Sequence, residues 1–284
     1  MRSIKKIHKA VSSPIADLIT YRALPTNTID HIDPFLFLNH HGYQKYPENN
    51  NGLPFGPHPH RGFETVTFIL KGDLIHKDST GWQSVIKAGG VQWMTAGKGL
   101  IHAEISSKEF KRNGGELELL QLWVNLPAKH KMTEPNYRGL QKEDIPEVNI
   151  DNGKVSLAAV SGNWENTKAA FQPLNDIQLA TLHFDKGGKY SVEIPAKRNI
   201  FFYVIKGKLL VNGKEAKIHS LVEFENDSES MEIEALEESI LLLGHAIPFN
   251  EPIVAQGPFV MNSQQEIQQA FLDYQNGIFG NWNG

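Results

Sequence analysis

The segment PHPHRGFE, residues 57–64, places His58 and His60 two positions apart, with a proline before each and Glu64 four positions after the second. Prolines favour extended backbone in the residue before them. In an extended chain residues i and i+2 share a face, so the two imidazoles project together. The same parity runs on through Gly62, Glu64, Val66, Phe68 and Leu70, which reads as a polar mouth above an apolar floor, with Gly62 leaving room beneath the histidines. A second pair, His102 and Glu104 in AGKGLIHAEIS, repeats the spacing. Neutral nitrogens and one hard oxygen, brought together from two strands, suit a divalent transition metal: iron(II), manganese, cobalt, nickel, copper or zinc. Taken alone, an H-x-H is more often a pair satisfied in the core or at the surface, and an H-x-E carries almost no weight. Glu64 is open to three readings: a further ligand, an outer acceptor for a ligating imidazole, which is favoured, or a buried partner of Arg61. His40 and His41 point to opposite faces if extended and suit a loop. His183, His219 and His245 stand apart and read as structural.

These pairs need strands to carry them. Segments 64–72, 84–94, 118–126, 199–213 and 239–247 are short, rich in β-branched and aromatic residues and bounded by turn formers. Strands without intervening helical periodicity point to antiparallel sandwiches or barrels. The polar stretch 129–153 is the best linker. Near the end Ser263 and Glu266 form a capping box, Ile267, Ala270, Phe271 and Tyr274 fall on one face, and Gly277 stops the helix. That stripe needs a surface to dock on. FILKGDL (68–74) matches VIKGKLL (204–210) when Lys71-Gly72 is laid on Lys206-Gly207. Run backwards, this sets His58 against Glu193, His60 against Pro195 and Glu64 against Asn199, so a second copy of the sheet lacks the histidines.

Composition limits the functions available. The chain has 284 residues, 40% of them hydrophobic, a formal charge of −4 and no cysteine. The charge gives no general reason to bind nucleic acid or an anionic membrane. Disulfides, thiolate sites and cysteine nucleophiles are excluded. MRSIKKIHKA lacks the apolar run of a signal peptide, and no 18-residue apolar stretch could span a bilayer. The expectation is a soluble, cytoplasmic protein with no direct nucleic-acid or membrane partner.

The segments PHPHRGFETVTFILKG, VQWMTAGKGLIHAE, LQLWVNLP and GPFVMN together resemble the pirins, and the likeness runs over nearly the whole length in family order. It implies an all-β bicupin: two cupin-type antiparallel β-barrels and a C-terminal α-helix. The implied division is 1–130 for an N-terminal barrel with the metal, 131–153 linker, 154–250 a metal-free barrel and 251–284 a tail whose helix docks on the body. It also implies a ligand set of His58, His60, His102 and Glu104 around one divalent ion, iron(II) first. Against the broader cupin pattern, Gly52, His58, His60 and Glu64 fit the first motif, while Gly72 comes one residue late and Gly97 stands where many cupins have proline. Both departures suit pirins, in which Glu104 rather than Glu64 takes the ligand role. The implied activity is that of a quercetin 2,3-dioxygenase, opening a flavonol ring with O2. Phe35, Phe37, Phe55, Trp93, Met94 and Trp123 could wall in such a flat substrate, and Glu104 could accept its proton. The alternative implied by the family is a non-enzymatic, iron-dependent regulator that binds a protein partner, as a transcription cofactor or a metabolic regulator.

Overall fold

A computed structural model describes residues 1–282. The chain forms two compact units. The first holds Ser12–Tyr21, Leu36–Glu143 and the chain from Phe249 onward; the second holds Met1–Val11, Arg22–Phe35 and Asp144–Pro248. The units therefore exchange chain ends relative to a linear division. The N-terminal strand belongs to the second unit and the C-terminal helix to the first.

Each unit is a jelly roll. In the first, the larger sheet runs Asn136–Leu140, Val91–Thr95, Phe63–Lys71, Gly115–Asn125, Phe35–Tyr46, and the smaller runs Phe55–His60, Leu100–Ile105, Asp73–Asp78, Gln83–Lys87. In the second, the larger runs Ile4–Lys9, Ser220–Phe224, Asn199–Lys206, Ser239–Ala246, Ile177–Phe184, continuing to Val155–Ser161 and Glu147–Ile150. Its smaller sheet runs Lys189–Glu193, Ser230–Ala235, Lys208–Val211, Lys214–Lys217. The two cupin domains and the helix are as expected, but the barrels are not closed. Among the described residues no ladder joins the small sheet of a unit to its large one. The chain passes between sheets at glycine bends such as Gly62 and Gly72, both at positive φ, a conformation that glycine adopts without a Cβ penalty.

The core of the first unit lies between its sheets: Ile69, Leu117 and Leu119 from the large one meet Leu74 and Ile86 from the small one, with Tyr46, Leu53 and Phe110. The polar stretch 129–153 is not a bare connection. Asn136–Leu140 pairs with Val91–Thr95, and Glu147–Ile150 with Val155–Ser161. The helix Gln264–Gln275 opens on the expected box: Ser263 Oγ accepts from the Glu266 amide, and Glu266 accepts from the Asn262 amide. It buries Ile267 and Ala270 against Phe259, Met261 and Phe279.

Candidate metal centre

Register brings the histidines together. Phe55–His60 and Leu100–Ile105 are neighbours in the small sheet, with His58 opposite His102 and His60 opposite Leu100. The rings of His58, His60 and His102 lie 4.4 to 4.9 Å apart, centre to centre. One ligand nitrogen from each falls within 4.8 Å of the others, a spread that small ring rotations close onto metal–nitrogen bonds of about 2.1 Å.

Hydrogen bonds set the tautomers. His58 Nδ1 lies 2.7 Å from the Gly56 carbonyl and His60 Nδ1 3.2 Å from that of Pro258. A carbonyl can only accept, so each Nδ1 carries the proton and each Nε2 presents a lone pair. His60 Nε2 and both nitrogens of His102 are buried without a hydrogen-bond partner. Burial, reinforced by His58, pushes the His60 pKa down to about 3, and burial beside the other imidazoles likewise lowers that of His102. Three converging imidazoles, two of them held neutral by burial and with bare nitrogens, are a donor set that fits a transition metal.

Glu104 lies outside that group of three. Its Oε1 accepts from Thr67 Oγ1 at 2.9 Å and from the Gln92 amide, and its Oε2 from the Gln121 amide. A carboxylate has about four acceptor positions, so three donors fix Glu104 and leave one open. Behind it the Tyr137 hydroxyl donates to Gln92 Oε1 at 3.1 Å. Thr67, Gln92, Gln121 and Tyr137 carry no sequence motif; only alternation on four adjacent strands places them together.

The shared parity of His58 through Leu70 ends at Gly62. The chain bends there into the other sheet, and the inward row becomes Phe63, Thr65, Thr67 and Ile69. Glu64 is an odd number of positions from Thr67 and so points to the opposite face, where Thr95 Oγ1 donates to it at 2.7 Å. Burial pushes its pKa up to about 7. Arg61 is not its partner: it pairs with Asp273 at 2.7 Å and lies over the Phe279 ring. Gly62 makes room for the tail, since a Cβ there would strike the Val260 carbonyl oxygen and lie 2.7 Å from Met261 Sδ. Lys131, whose pKa burial pushes down to about 8, donates to the Gly62 and Val260 carbonyls and to Asn125 Oδ1, each within 2.9 Å.

The aromatic residues divide. Phe37 stacks on Trp123 at 4.6 Å, Trp123 packs on Phe63 at 4.3 Å, and the Trp123 ring is 5.4 Å from His60. Phe55 packs partly against the first unit's core, Met94 joins Ala96, Leu100 and Tyr137, and Phe35 packs on Phe201 in the second unit. Trp93 pairs with Val66 and shares the Glu64 face. His40 and His41 are buried in the strand Phe35–Tyr46 rather than in a loop, bound to Glu118 and Thr20.

The second unit differs at every equivalent position. His76, four residues past Gly72, pairs with Glu104; Val211, four past Gly207, pairs with Ile233. Followed through the ladders, Glu104 corresponds to Ile233, His102 to Met231, His58 to Val192 and His60 to Ile194. This corrects the gapless alignment to Glu193 and Pro195. The turn after Ile194 is one residue longer than that after His60, and a one-residue slip exchanges the faces of a strand.

Two jelly rolls in one chain, the first with inward imidazoles, define a bicupin protein. A family model described as Pirin matches residues 17–124, and one described as Pirin C-terminal cupin domain matches 179–280. The chain is 36% identical to Pirin of Homo sapiens over 267 residues, covering 91% of this chain and 87% of that protein. It is 39% identical to Pirin-1 of Arabidopsis thaliana over 255 residues, covering 88% and 84%. A crystal structure of quercetin 2,3-dioxygenase from Acinetobacter baumannii superposes with a TM-score of 0.91 at 32% identity, covering 99% of both chains. The chain belongs to the pirin family. Among the described residues no helix is long and apolar enough to cross a membrane.

Proposed function

We propose that this protein is a metal-dependent dioxygenase that opens the ring of quercetin or a related flavonol with O2. The observation that carries the reading is the convergence of one ligand nitrogen each from His58, His60 and His102, with those of His60 and His102 buried and unpartnered, beside the Phe37–Trp123–Phe63 stack. The solved relative named quercetin 2,3-dioxygenase supports it. In this reading His58, His60, His102 and the open lone pair of Glu104 hold one divalent ion, iron(II) first, with nickel, manganese, cobalt, copper and zinc compatible with the same donors. Such an ion supplies Lewis acidity that eases loss of a proton from a bound hydroxyl, and a site for oxygen chemistry.

The chain supplies the rest. The Phe37–Trp123–Phe63 wall offers a flat apolar surface beside His60 for a fused aromatic ring. Thr67, Gln92 and Gln121 hold Glu104 in one orientation, so that on loosening from the ion the same lone pair can take the proton of a flavonol 3-hydroxyl. Burial of His60, His102 and Glu104 excludes water from that transfer.

Metal-reconstituted protein is expected to consume quercetin and O2 together. Glu104→Gln, with metal content checked separately, should lower kcat by about 10²–10⁴-fold. A loaded wild type that consumes no flavonol would overturn the enzyme reading in favour of a regulatory protein. A loaded Glu104→Gln with full activity would remove only the base.

A further inference from the structure

Two of the three imidazoles have an outer partner and the third has none. His58 and His60 each donate Nδ1–H to a backbone carbonyl, whereas both nitrogens of His102 are buried and unpartnered. Bonding to a metal would satisfy one of them. The other must carry a proton, and a buried N–H without an acceptor is destabilising.

The neighbouring strand Asp73–Asp78 offers a matching group. Asp78 lies opposite His102 and His76 opposite Glu104. His76 is fully buried, stacked on Tyr137 at 3.8 Å and 7°. Its Nε2 lies 2.9 Å from Asp78 Oδ2. A carboxylate accepts, so Nε2 carries the proton and His76 Nδ1 is an acceptor, itself buried and unpartnered. The rings of His76 and His102 are 5.5 Å apart, centre to centre. A nitrogen–nitrogen hydrogen bond of about 3 Å between two imidazoles needs ring centres only slightly closer than that. Asp78 is itself fixed, its Oδ1 accepting from the Thr80 hydroxyl and from the amides of Thr80 and Trp82.

We propose that Asp78 and His76 form a hydrogen-bonded relay that orients His102: Asp78 fixes the tautomer of His76, and His76 Nδ1 accepts from the outer nitrogen of His102. It rests on the reading that the triad binds a metal. His76 and Asp78 are positioning residues, acting on the ion only through His102. The third ligand is thus held by side chains where the first two are held by backbone, so it alone is open to tuning by substitution. Outer partners of ligating histidines typically change metal affinity or activity by roughly 10–100-fold.

The probe is Co(II), titrated into metal-stripped protein and followed by its visible absorption, with melting curves recorded in chelator. His76→Phe keeps an aromatic ring to stack on Tyr137, at the cost of a slightly larger side chain, and removes the nitrogens. It is expected to weaken Co(II) binding about 10–100-fold and to shift the absorption bands, while the metal-free melting temperature reports separately the loss of the Asp78 contact. His76→Gln, which can still accept and donate, should recover most of the affinity. Co(II) affinity and spectrum unchanged in His76→Phe would overturn the relay while leaving the metal reading intact. If His76→Phe does not fold, Asp78→Asn takes its place: weakened Co(II) binding supports the relay and unchanged binding overturns it. A wild type that takes up no Co(II) would overturn the metal reading, and the relay with it.

Discussion

The two units of this chain present the same inner corner with opposite chemistry. In the first, His58, His60, His102 and Glu104 point inward; at the matching positions of the second stand Val192, Ile194, Met231 and Ile233. Ile194, Met231 and Ile233 are buried within one apolar cluster with Phe202, Leu241 and Leu243, and Val192 packs against it. A jelly roll is thus indifferent to whether this corner is ionic or oily, provided it is satisfied. The second unit fills the corner with its own side chains. The first leaves imidazole nitrogens without protein partners, which is tolerable where a ligand completes them.

That contrast can be broken at its strongest point. Replacing His102 with alanine should take the metal content of the purified protein from about one ion per chain to near none, since two imidazoles retain little affinity. Glu193→Ala should leave it unchanged. Elemental analysis of the three proteins decides this, and equal metal in all of them would end the assignment.

The second unit should respond in stability instead. Met231→Ala removes a fully buried side chain and should cost about 2–5 kcal/mol in chemical unfolding, with metal content untouched. A cost below about 1 kcal/mol would mean that the corner is not part of the core.

A smaller and pH-dependent effect belongs to Glu64, on the far face of the first unit's large sheet. Burial holds its pKa near 7, above the ordinary carboxylate value of 4.5. Its contribution to stability is therefore complete below about pH 4.5 and is lost as the pH rises through 7. The full loss is worth up to about 3 kcal/mol at alkaline pH. Glu64→Gln, which stays neutral, should match the wild type in urea unfolding at pH 4 and exceed it at pH 8.5. Equal stability at both pH values would refute the buried, neutral carboxyl.

Much of the fold was legible in the sequence because β-alternation and turn residues are local signals. His58 with His60 and His102 with Glu104 could be paired on spacing alone, and the family resemblance singled the four out as a ligand set. What stayed hidden were features set by pairing between distant strands. Gly62 turns the chain from one sheet to the other and reverses the parity that had put Glu64 beside the histidines. His76 and Asp78 form an H-x-D like the H-x-E at 102–104, yet nothing in that pair shows that it will lie beside His102. Lys131 looks like a residue of a polar connection and is instead a buried cation with three oxygen acceptors.

The tail hairpin that closes over Gly62 has a consequence in time. His60 takes its orientation from the carbonyl of Pro258, and Lys131 ties Gly62 to Val260. More than 150 residues separate His102 from Pro258. At roughly 5–20 residues per second a ribosome needs about 8–30 s to make them. Throughout that interval the nascent chain displays its histidines without the piece that aligns them. If the triad takes a metal as proposed, the order of synthesis favours late loading: an ion would be best captured after the second unit has emerged and the tail has folded back.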